Sequence, residues 1–164
     1  MTASIHASVV IVAESGVLIR GASGAGKSFL ALALIDRATR TGNFGALVAD
    51  DRTWLAAISG RLVARGAPAL AGVCERRGEG LVEVPHEPAA VIRLVVDIAD
   101  RGAVPPRMPE EADKYTMLCG VERPRLRLDL SPGLEAGVSA VFSALGRLNG
   151  STWRKIGLDG KLFA

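Results

Sequence analysis

The chain has few aromatic side chains, no cluster of like charges and no long hydrophobic run, and each shortage argues against a class of partner. Aromatic residues make up 4% of the 164 residues, and the net charge of +3 comes mostly from scattered arginines. Proteins that bind single-stranded nucleic acid combine basic grooves with aromatic stacking surfaces, so we expect no nucleic-acid partner. No apolar run approaches the roughly 18 residues of a membrane span, and the N-terminus lacks the order of a signal peptide. We therefore expect a cytoplasmic protein without a membrane partner.

Cysteine is also scarce. The two cysteines are Cys74 and Cys119, and neither has a second metal-type ligand at short spacing. This pattern favours free, buried thiols in a reducing compartment over a disulfide or a zinc site.

Glycine and aliphatic residues are abundant instead. Hydrophobic residues make up 49% of the chain and 19 residues are glycine, a composition typical of an α/β fold with many tight turns. The length fits one domain, which we place at residues 1–150. Residues 151–164 then form a short C-terminal tail.

A glycine-rich segment at residues 21–28 matches the P-loop pattern G-x-x-x-x-G-K-S. Its glycines free the backbone to curl around a phosphate, and the N-terminus of the following helix favours negative charge. The lysine can reach the β- and γ-phosphates of a nucleotide, and the serine hydroxyl can bind Mg²⁺. The residues expected to bind the nucleotide are Gly21, Ala22, Ser23, Gly24, Ala25, Gly26, Lys27 and Ser28.

The secondary structure predicted around this segment supports that interpretation. Two short runs of strand-forming residues, at 7–13 and 17–20, indicate a hairpin that leads into the loop. Helical periodicity follows from residue 27 to residue 40. The P-loop thus lies between a strand and a helix, which is the context that the motif requires.

Further elements are predicted along the rest of the chain. The apolar run at residues 89–98 has no polar face and indicates a central strand. Ser131-Pro132 reads as a helix N-cap followed by proline in the first helical position. The other elements are a strand at 46–49, a hairpin at 54–58 and 62–64, a strand at 126–130 and a helix at about 133–147.

Two adjacent aspartates, Asp50 and Asp51, follow the strand predicted at residues 46–49. Side chains at the carboxyl ends of parallel strands converge on the ligand crevice. Either aspartate could bind Mg²⁺ or accept a proton from a hydroxyl nucleophile, whereas a turn-capping pair is the structural alternative. Their position after a P-loop unit favours the functional interpretation.

Two other segments carry candidate site residues. His6 precedes the first strand and could lie near the aspartates, where it would modulate the proton affinity of a carboxylate. Residues 75–80, Glu-Arg-Arg-Gly-Glu-Gly, suggest a bend near a ligand, in which Glu75 is a candidate ligand for Mg²⁺ and Arg77 for phosphate. A solvated loop of mixed charge is the alternative.

Taken in order, these features resemble those of HPr kinase/phosphorylase: His6, the P-loop, the segment Leu47-Val48-Ala49-Asp50-Asp51 and the pattern E-x-R-G-x-G at residues 75–80. The resemblance covers about residues 5–149 and is to the catalytic domain alone, the short form of the family. It implies a P-loop-containing α/β domain with a mixed β-sheet, of the HPr kinase and PEP carboxykinase type.

The resemblance also implies an activity and the roles of individual residues. The family uses ATP and Mg²⁺ to phosphorylate a serine of HPr, the small phosphocarrier of the bacterial sugar phosphotransferase system, and can remove this phosphate by phosphorolysis. A homohexamer is implied as well. By position, His6 and Lys27 are active-site residues, Ser28 and Glu75 bind Mg²⁺, Arg107 is the catalytic arginine, and the pair Asp50-Asp51 contains the base, for which we favour Asp51 while Asp50 stays open.

The chain departs from the family pattern at two places. Phe29 occupies the position after the P-loop serine, which is usually acidic in the family. Ser131-Pro132-Gly133-Leu134 replaces the R-P-G-R loop, whose guanidinium groups would bind phosphate. We therefore doubt the reverse, phosphorylase reaction, and two other functions stay open: a small-molecule kinase on the same loop, and an ATP-binding regulatory module without phosphotransfer.

Overall fold

The computed structural model describes residues 2–150, which contain ten strands, two α-helices and two 3₁₀ turns. Met1 and the predicted tail at residues 151–164 lie outside the described residues. In chain order the elements are β1 (Thr2–Val12), β2 (Ser15–Arg20), α1 (Lys27–Arg40), β3 (Gly45–Ala49), β4 (Arg52–Ile58), β5 (Arg61–Gly66), β6 (Val73–Arg76), β7 (Gly80–Glu83), β8 (Ala89–Ile98), β9 (Tyr115–Leu118), β10 (Val121–Leu128) and α2 (Leu134–Leu148), with 3₁₀ turns at Pro68–Leu70 and Glu111–Lys114.

Eight of these strands form one mixed sheet, in the order β2-β1-β4-β5-β8-β10-β9, with β3 also paired to β1. Strand β1 is long enough for its two halves to have different partners: residues 2–6 pair with β4, and residues 7–12 pair with β2. All three pairings of β1 are antiparallel. This confirms the predicted α/β fold with a mixed sheet and the hairpin that leads into residues 21–28.

The parallel part of the sheet consists of β2, β8 and β10. Strand β8 runs parallel to both β2 and β10, and its N-terminal part pairs antiparallel with β5. The central position predicted for residues 89–98 is therefore confirmed. The carboxyl ends of the three parallel strands lie at one edge of the sheet, and the glycine-rich loop leaves β2 at that edge.

The two helices pack on one face of the sheet, because each has an apolar stripe at helical spacing. Leu30 and Leu34 of α1 and Val138 and Val141 of α2 are buried in the same cluster as strand residues of β1, β2 and β8. Helix α2 approaches closely at Gly137, where an added Cβ would lie 2.5 Å from the end of the Leu130 side chain and would have to displace it. A second cluster lies on the opposite face and is covered by β4 and β5.

One local prediction is wrong and three strands were missed. Ser131 does not cap α2, since its amide and hydroxyl both donate to Asp129, at 2.8 and 2.7 Å, and the helix begins after Gly133, whose φ is 119°. Strands β6, β7 and β9, of four residues each, had no predicted counterpart. Within residues 2–150, neither helix has the length and hydropathy needed to span a membrane.

Candidate active site

The glycine-rich loop joins β2 to α1 with a backbone that only glycine adopts readily. Gly24 has a φ of 76°, and Gly26, the N-cap of α1, has a φ of 104°. L-residues with side chains rarely adopt such angles. The first turn of α1 contains no acidic residue, so the N–H groups and positive end of the helix dipole at this point favour an anion.

Lys27 is the first residue of α1 and is 6% exposed. Its Nζ donates hydrogen bonds to the carbonyl oxygens of Gly21 and Ala22, both at 3.0 Å. A buried ammonium group is costly unless it is hydrogen-bonded, and these two bonds hold it across the loop. The positive charge is thereby placed next to the backbone that would surround a phosphate.

Asp50 faces the P-loop serine. The hydroxyl of Ser28 lies 2.9 Å from Oδ1 and 3.1 Å from Oδ2 of Asp50, within hydrogen-bond distance of both oxygens. Ser8 of β1 donates to Oδ1 at 2.7 Å, and the thiol of Cys74 in β6 donates to Oδ2 at 3.1 Å. The carboxylate is therefore surrounded by hydrogen-bond donors from three separate elements.

The thiol of Cys74 is a donor in this cluster because it keeps its proton. Burial, followed by the hydrogen bond and the charge of Asp50, raises the pKa of the Cys74 thiol to about 12. Cys74 and Cys119 are both free thiols, as predicted, but only Cys74 is buried, whereas Cys119 is partly exposed. Its contact with the site was not predicted.

Asp51 faces a different partner. Its Oδ1 lies 2.7 Å from Nδ1 of His6, and the two side chains are 74% and 47% exposed. Asp51 has a φ of 70°, a left-handed conformation that Asp tolerates better than most residues. The two neighbouring aspartates thus differ in surroundings: Asp50 contacts the P-loop, and Asp51 pairs with His6 towards solvent.

One cavity of about 470 Å³ connects these groups. Strand β6 contributes Glu75 to it, and the turn that follows contributes Arg77. The bend predicted there is present, since Gly78 and Gly80 have φ values of 90° and 89°. The cavity also has an apolar part. Its lining residues are His6, Ser23, Gly24, Gly26, Lys27, Ser28, Phe29, Asp50, Asp51, Leu70, Val73, Glu75, Arg77 and Leu81.

Most of the residues predicted for the site therefore lie together, although they come from four distant parts of the chain. Gly21 and Ala22 contribute the carbonyl groups that hold Lys27, and Ala25 lies in the same loop. Arg107 does not line the cavity; it is an exposed residue of the segment between β8 and the second 3₁₀ turn, and its role stays a prediction.

The donors present fit a Mg²⁺–nucleotide complex. Mg²⁺ prefers oxygen ligands and completes its shell with water and substrate phosphates, and the cavity offers the Ser28 hydroxyl and the carboxylates of Asp50 and Glu75. Residues 2–150 contain no cluster of three or more His, Cys, Asp or Glu side chains arranged to hold a metal.

Two residues of the cluster were missed in the sequence, Ser8 and Cys74. A signal for Ser8 exists, because it follows His6 by two residues and side chains alternate along a strand. Cys74 gave no comparable signal, since its contact with Asp50 depends on how the β6–β7 hairpin packs against the sheet.

A strand, a glycine-rich loop and a helix, with an aspartate facing the serine of the loop, define the class of P-loop domains. The family model for the HPr serine kinase C-terminal domain matches residues 1–139. The chain belongs to this family, and the resemblance noted in the sequence is confirmed.

Individual relatives support the assignment. The HPr kinase/phosphorylase of Clostridium perfringens strain SM101 is 40% identical over 149 residues, which are 82% of this chain and 44% of the relative. That of Clostridium tetani is 41% identical over 81 residues, 49% of this chain and 25% of the relative. The chain thus spans less than half the length of these curated relatives.

A solved structure has the same fold. The Hpr(Ser) kinase/phosphatase from Coxiella burnetii superposes with a TM-score of 0.75 at 22% sequence identity, covering 90% of this chain and 99% of that one. This likeness confirms the fold, and with it the predicted mixed-sheet domain type.

Proposed function

We propose that this chain is a protein kinase that transfers the γ-phosphoryl group of ATP, with Mg²⁺, to a serine of an HPr-type phosphocarrier protein. In this role it would act in the cytoplasm and regulate a phosphotransferase system. The observation that carries the proposal is that the two adjacent carboxylates have different partners: Asp50 contacts the P-loop serine, and Asp51 contacts His6. A protein that only binds nucleotide has no need of the Asp51–His6 pair.

The nucleotide would bind at the P-loop with its phosphates against the N-terminus of α1. Lys27 would neutralise charge on the β- and γ-phosphates, and Arg77 from the β6–β7 turn supplies a guanidinium group in the same cavity. Mg²⁺, when bound, supplies charge neutralisation between the phosphates. Ser28, with Glu75 nearby, would hold it.

Asp51 is the proposed base. It is open to solvent, so a serine hydroxyl of another protein can reach it, and His6 hydrogen-bonds its Oδ1 and orients the carboxylate. Asp50 is a poorer candidate, because three donors already surround its oxygens. Asp51 would accept the hydroxyl proton as the oxygen attacks phosphorus, and would return a proton in the reverse direction.

The rim of the cavity favours a protein acceptor over a small polar molecule. Phe29, Leu70 and Leu81 line it and are 45%, 54% and 74% exposed. Exposed apolar side chains beside a site are typical of surfaces that contact another protein. Phe29, which replaces the usual acidic residue of the family, contributes to this surface.

The proposal includes three other family properties, each with its own basis. The role of Arg107 rests on its match to the family motif alone. Phosphorolysis would have to proceed without the arginines that Ser131 and Leu134 replace. The homohexamer rests on the family resemblance, and light scattering of the purified chain would measure it.

A phosphotransfer assay with purified HPr and γ-labelled ATP tests the proposal. We expect label on a serine of HPr only when Mg²⁺ is present. Nucleotide binding without transfer to HPr would instead support the regulatory module, which the missing loop arginines keep open. Transfer to a metabolite but not to HPr would support a small-molecule kinase.

A further inference from the structure

We propose that Ser8 and Cys74 are positioning residues that hold the carboxylate of Asp50 in the orientation in which it accepts a hydrogen bond from the Ser28 hydroxyl. The inference rests on the proposed function, because the orientation matters only if Ser28 binds a nucleotide-associated cation. Neither residue touches the cavity in which the phosphates would lie. Both would act through Asp50.

Ser8 fixes the first carboxylate oxygen. It is fully buried, with 0% exposure, and its hydroxyl donates to Oδ1 of Asp50 at 2.7 Å across 42 positions of sequence. A buried hydroxyl needs a partner, and a charged acceptor gives a stronger hydrogen bond than a neutral one. Because β1 pairs with three strands, this donor is held on a strand whose backbone is fixed on both sides.

Cys74 fixes the second oxygen from another direction. Its side chain is 1% exposed, and its thiol donates to Oδ2 at 3.1 Å. It belongs to the two-stranded β6–β7 sheet, which does not pair with the main sheet. The contact therefore also ties the hairpin that carries Glu75 and Arg77 to Asp50.

The consequence for Ser28 concerns its lone pairs. A hydroxyl has one proton and two acceptor lone pairs. When the Ser28 hydroxyl donates its hydrogen bond to Asp50, both lone pairs of the serine oxygen are available to a cation. An Asp50 carboxylate that is free to rotate would accept this hydrogen bond for only part of the time. The affinity for the cation would then fall while the P-loop itself stayed intact.

The test measures cation binding directly, with Mn²⁺ as the probe. Free Mn²⁺ is followed by electron paramagnetic resonance as the full chain is added in the presence of ADP. We expect Ser8→Ala to weaken Mn²⁺ binding about tenfold or more, the usual effect of removing a group that orients a metal ligand. ADP binding without metal should not change, and Ser8→Thr, which keeps the hydroxyl, should restore most of the affinity.

Ser15→Ala is the matched control. Ser15 is also a fully buried serine of the β1–β2 hairpin, but its hydroxyl hydrogen-bonds to Asn149, far from the site. We expect normal Mn²⁺ affinity in this variant. If Ser8→Ala does not fold, Cys74→Ala decides, with the same expected direction and thermal unfolding as the check on folding.

The outcomes separate the two proposals. Equal Mn²⁺ affinity of the wild-type chain and of a folded Ser8→Ala or Cys74→Ala variant overturns the positioning role alone. Equal weakening by Ser15→Ala also overturns it, because the effect would then be general loss of stability. A wild-type chain that binds no Mn²⁺ with ADP overturns the proposed function, and the positioning role with it.

Discussion

The different surroundings of Asp50 and Asp51 depend on contacts with residues that are distant in sequence. The pair could be predicted from its place after the P-loop helix, but its roles follow from residues far away in the chain: Ser8 contacts one carboxylate, and His6 contacts the other. The positive φ of Asp51 turns the backbone between them. Only the folded sheet brings β1 beside the end of β3, and so places one carboxylate at Ser28 and the other at His6.

Substitution of the two aspartates should separate their roles. We expect Asp51→Asn to lower kcat for phosphotransfer by about 10²- to 10⁴-fold, the usual range for loss of a general base, while the affinity for Mg²⁺–ADP is retained. Asp50→Asn should instead weaken Mg²⁺–ADP binding. Calorimetric titration and single-turnover kinetics measure both, and the reverse assignment of effects would show that Asp50 is the base.

The apolar rim predicts an effect on the protein substrate alone. Leu81 is 74% exposed, so Leu81→Ser should leave the stability of the domain nearly unchanged. We expect it to raise KM for HPr about fivefold, equivalent to a loss of about 1 kcal/mol of contact energy, with KM for ATP unchanged. Met117→Ser is the control, because Met117 is 61% exposed on β9 and does not line the cavity; equal effects of the two changes would contradict docking at the rim.

At the scale of elements, sequence prediction succeeded where a pattern is local. The helix predicted at residues 27–40 has the bounds of α1, because its apolar spacing and its basic last turn are properties of consecutive residues. The β6–β7 hairpin was missed because its two strands are short, and because their residues are mostly exposed and include charged side chains and glycine. Its strands are stabilised by pairing with each other and by the hydrogen bond of Cys74 to Asp50. An alternating apolar pattern in the sequence reveals neither contact.

An ion cluster ties the three parallel strands together. Asp97 of β8 accepts two hydrogen bonds from Arg20 of β2, at 2.7 and 2.8 Å, and one from Arg125 of β10. Burial alone would raise the pKa of Asp97, but the hydrogen bonds and charges of Arg20 and Arg125 outweigh it and lower this pKa below its ordinary value of 3.8. The cluster fixes the strand edge from which the P-loop leaves.

We therefore expect Asp97→Asn to reduce the free energy of unfolding at neutral pH by about 1.5–3 kcal/mol, the range for hydrogen bonds to a charged group. Because the pKa of Asp97 is lower in the folded state, its stabilisation is fully present above about pH 4 and is lost as pH falls through the folded-state value. Urea unfolding at a series of pH values measures this. A difference between the two proteins that stays constant down to pH 2 would contradict it.

At the scale of the whole molecule, the fold and most of the site were predictable because their elements occur in a fixed order. The P-loop follows one strand and the acidic pair follows another. The two segments meet because the carboxyl ends of these strands lie at the same edge of the sheet. Two contacts had no signal in the sequence: the hydrogen bond of Cys74 to Asp50, and that of Ser131 to Asp129 in place of a helix cap. These contacts depend on packing between elements.

Ligand binding should stabilise the whole domain. A ligand at a hundred times its dissociation constant adds about 2.7 kcal/mol to the folded state, so Mg²⁺ with ADP should raise Tm by several degrees, a size typical for a domain of this length. Calorimetric melting of the wild-type chain and of Lys27→Ala measures the shift. We expect the increment to be lost in Lys27→Ala, and an equal increment in both proteins would place the nucleotide outside the P-loop.

The spacing of residues along strand β1 determines which side chains reach the site. His6 and Ser8 reach Asp51 and Asp50 because both point to the same face of one strand, two positions apart. Inserting or deleting a single residue between His6 and Ser8 would place their side chains on opposite faces of the strand, however well the sheet re-forms. The turn at residues 13–14, at the far end of the strand, carries no such constraint, so length variation among relatives of this chain should concentrate there.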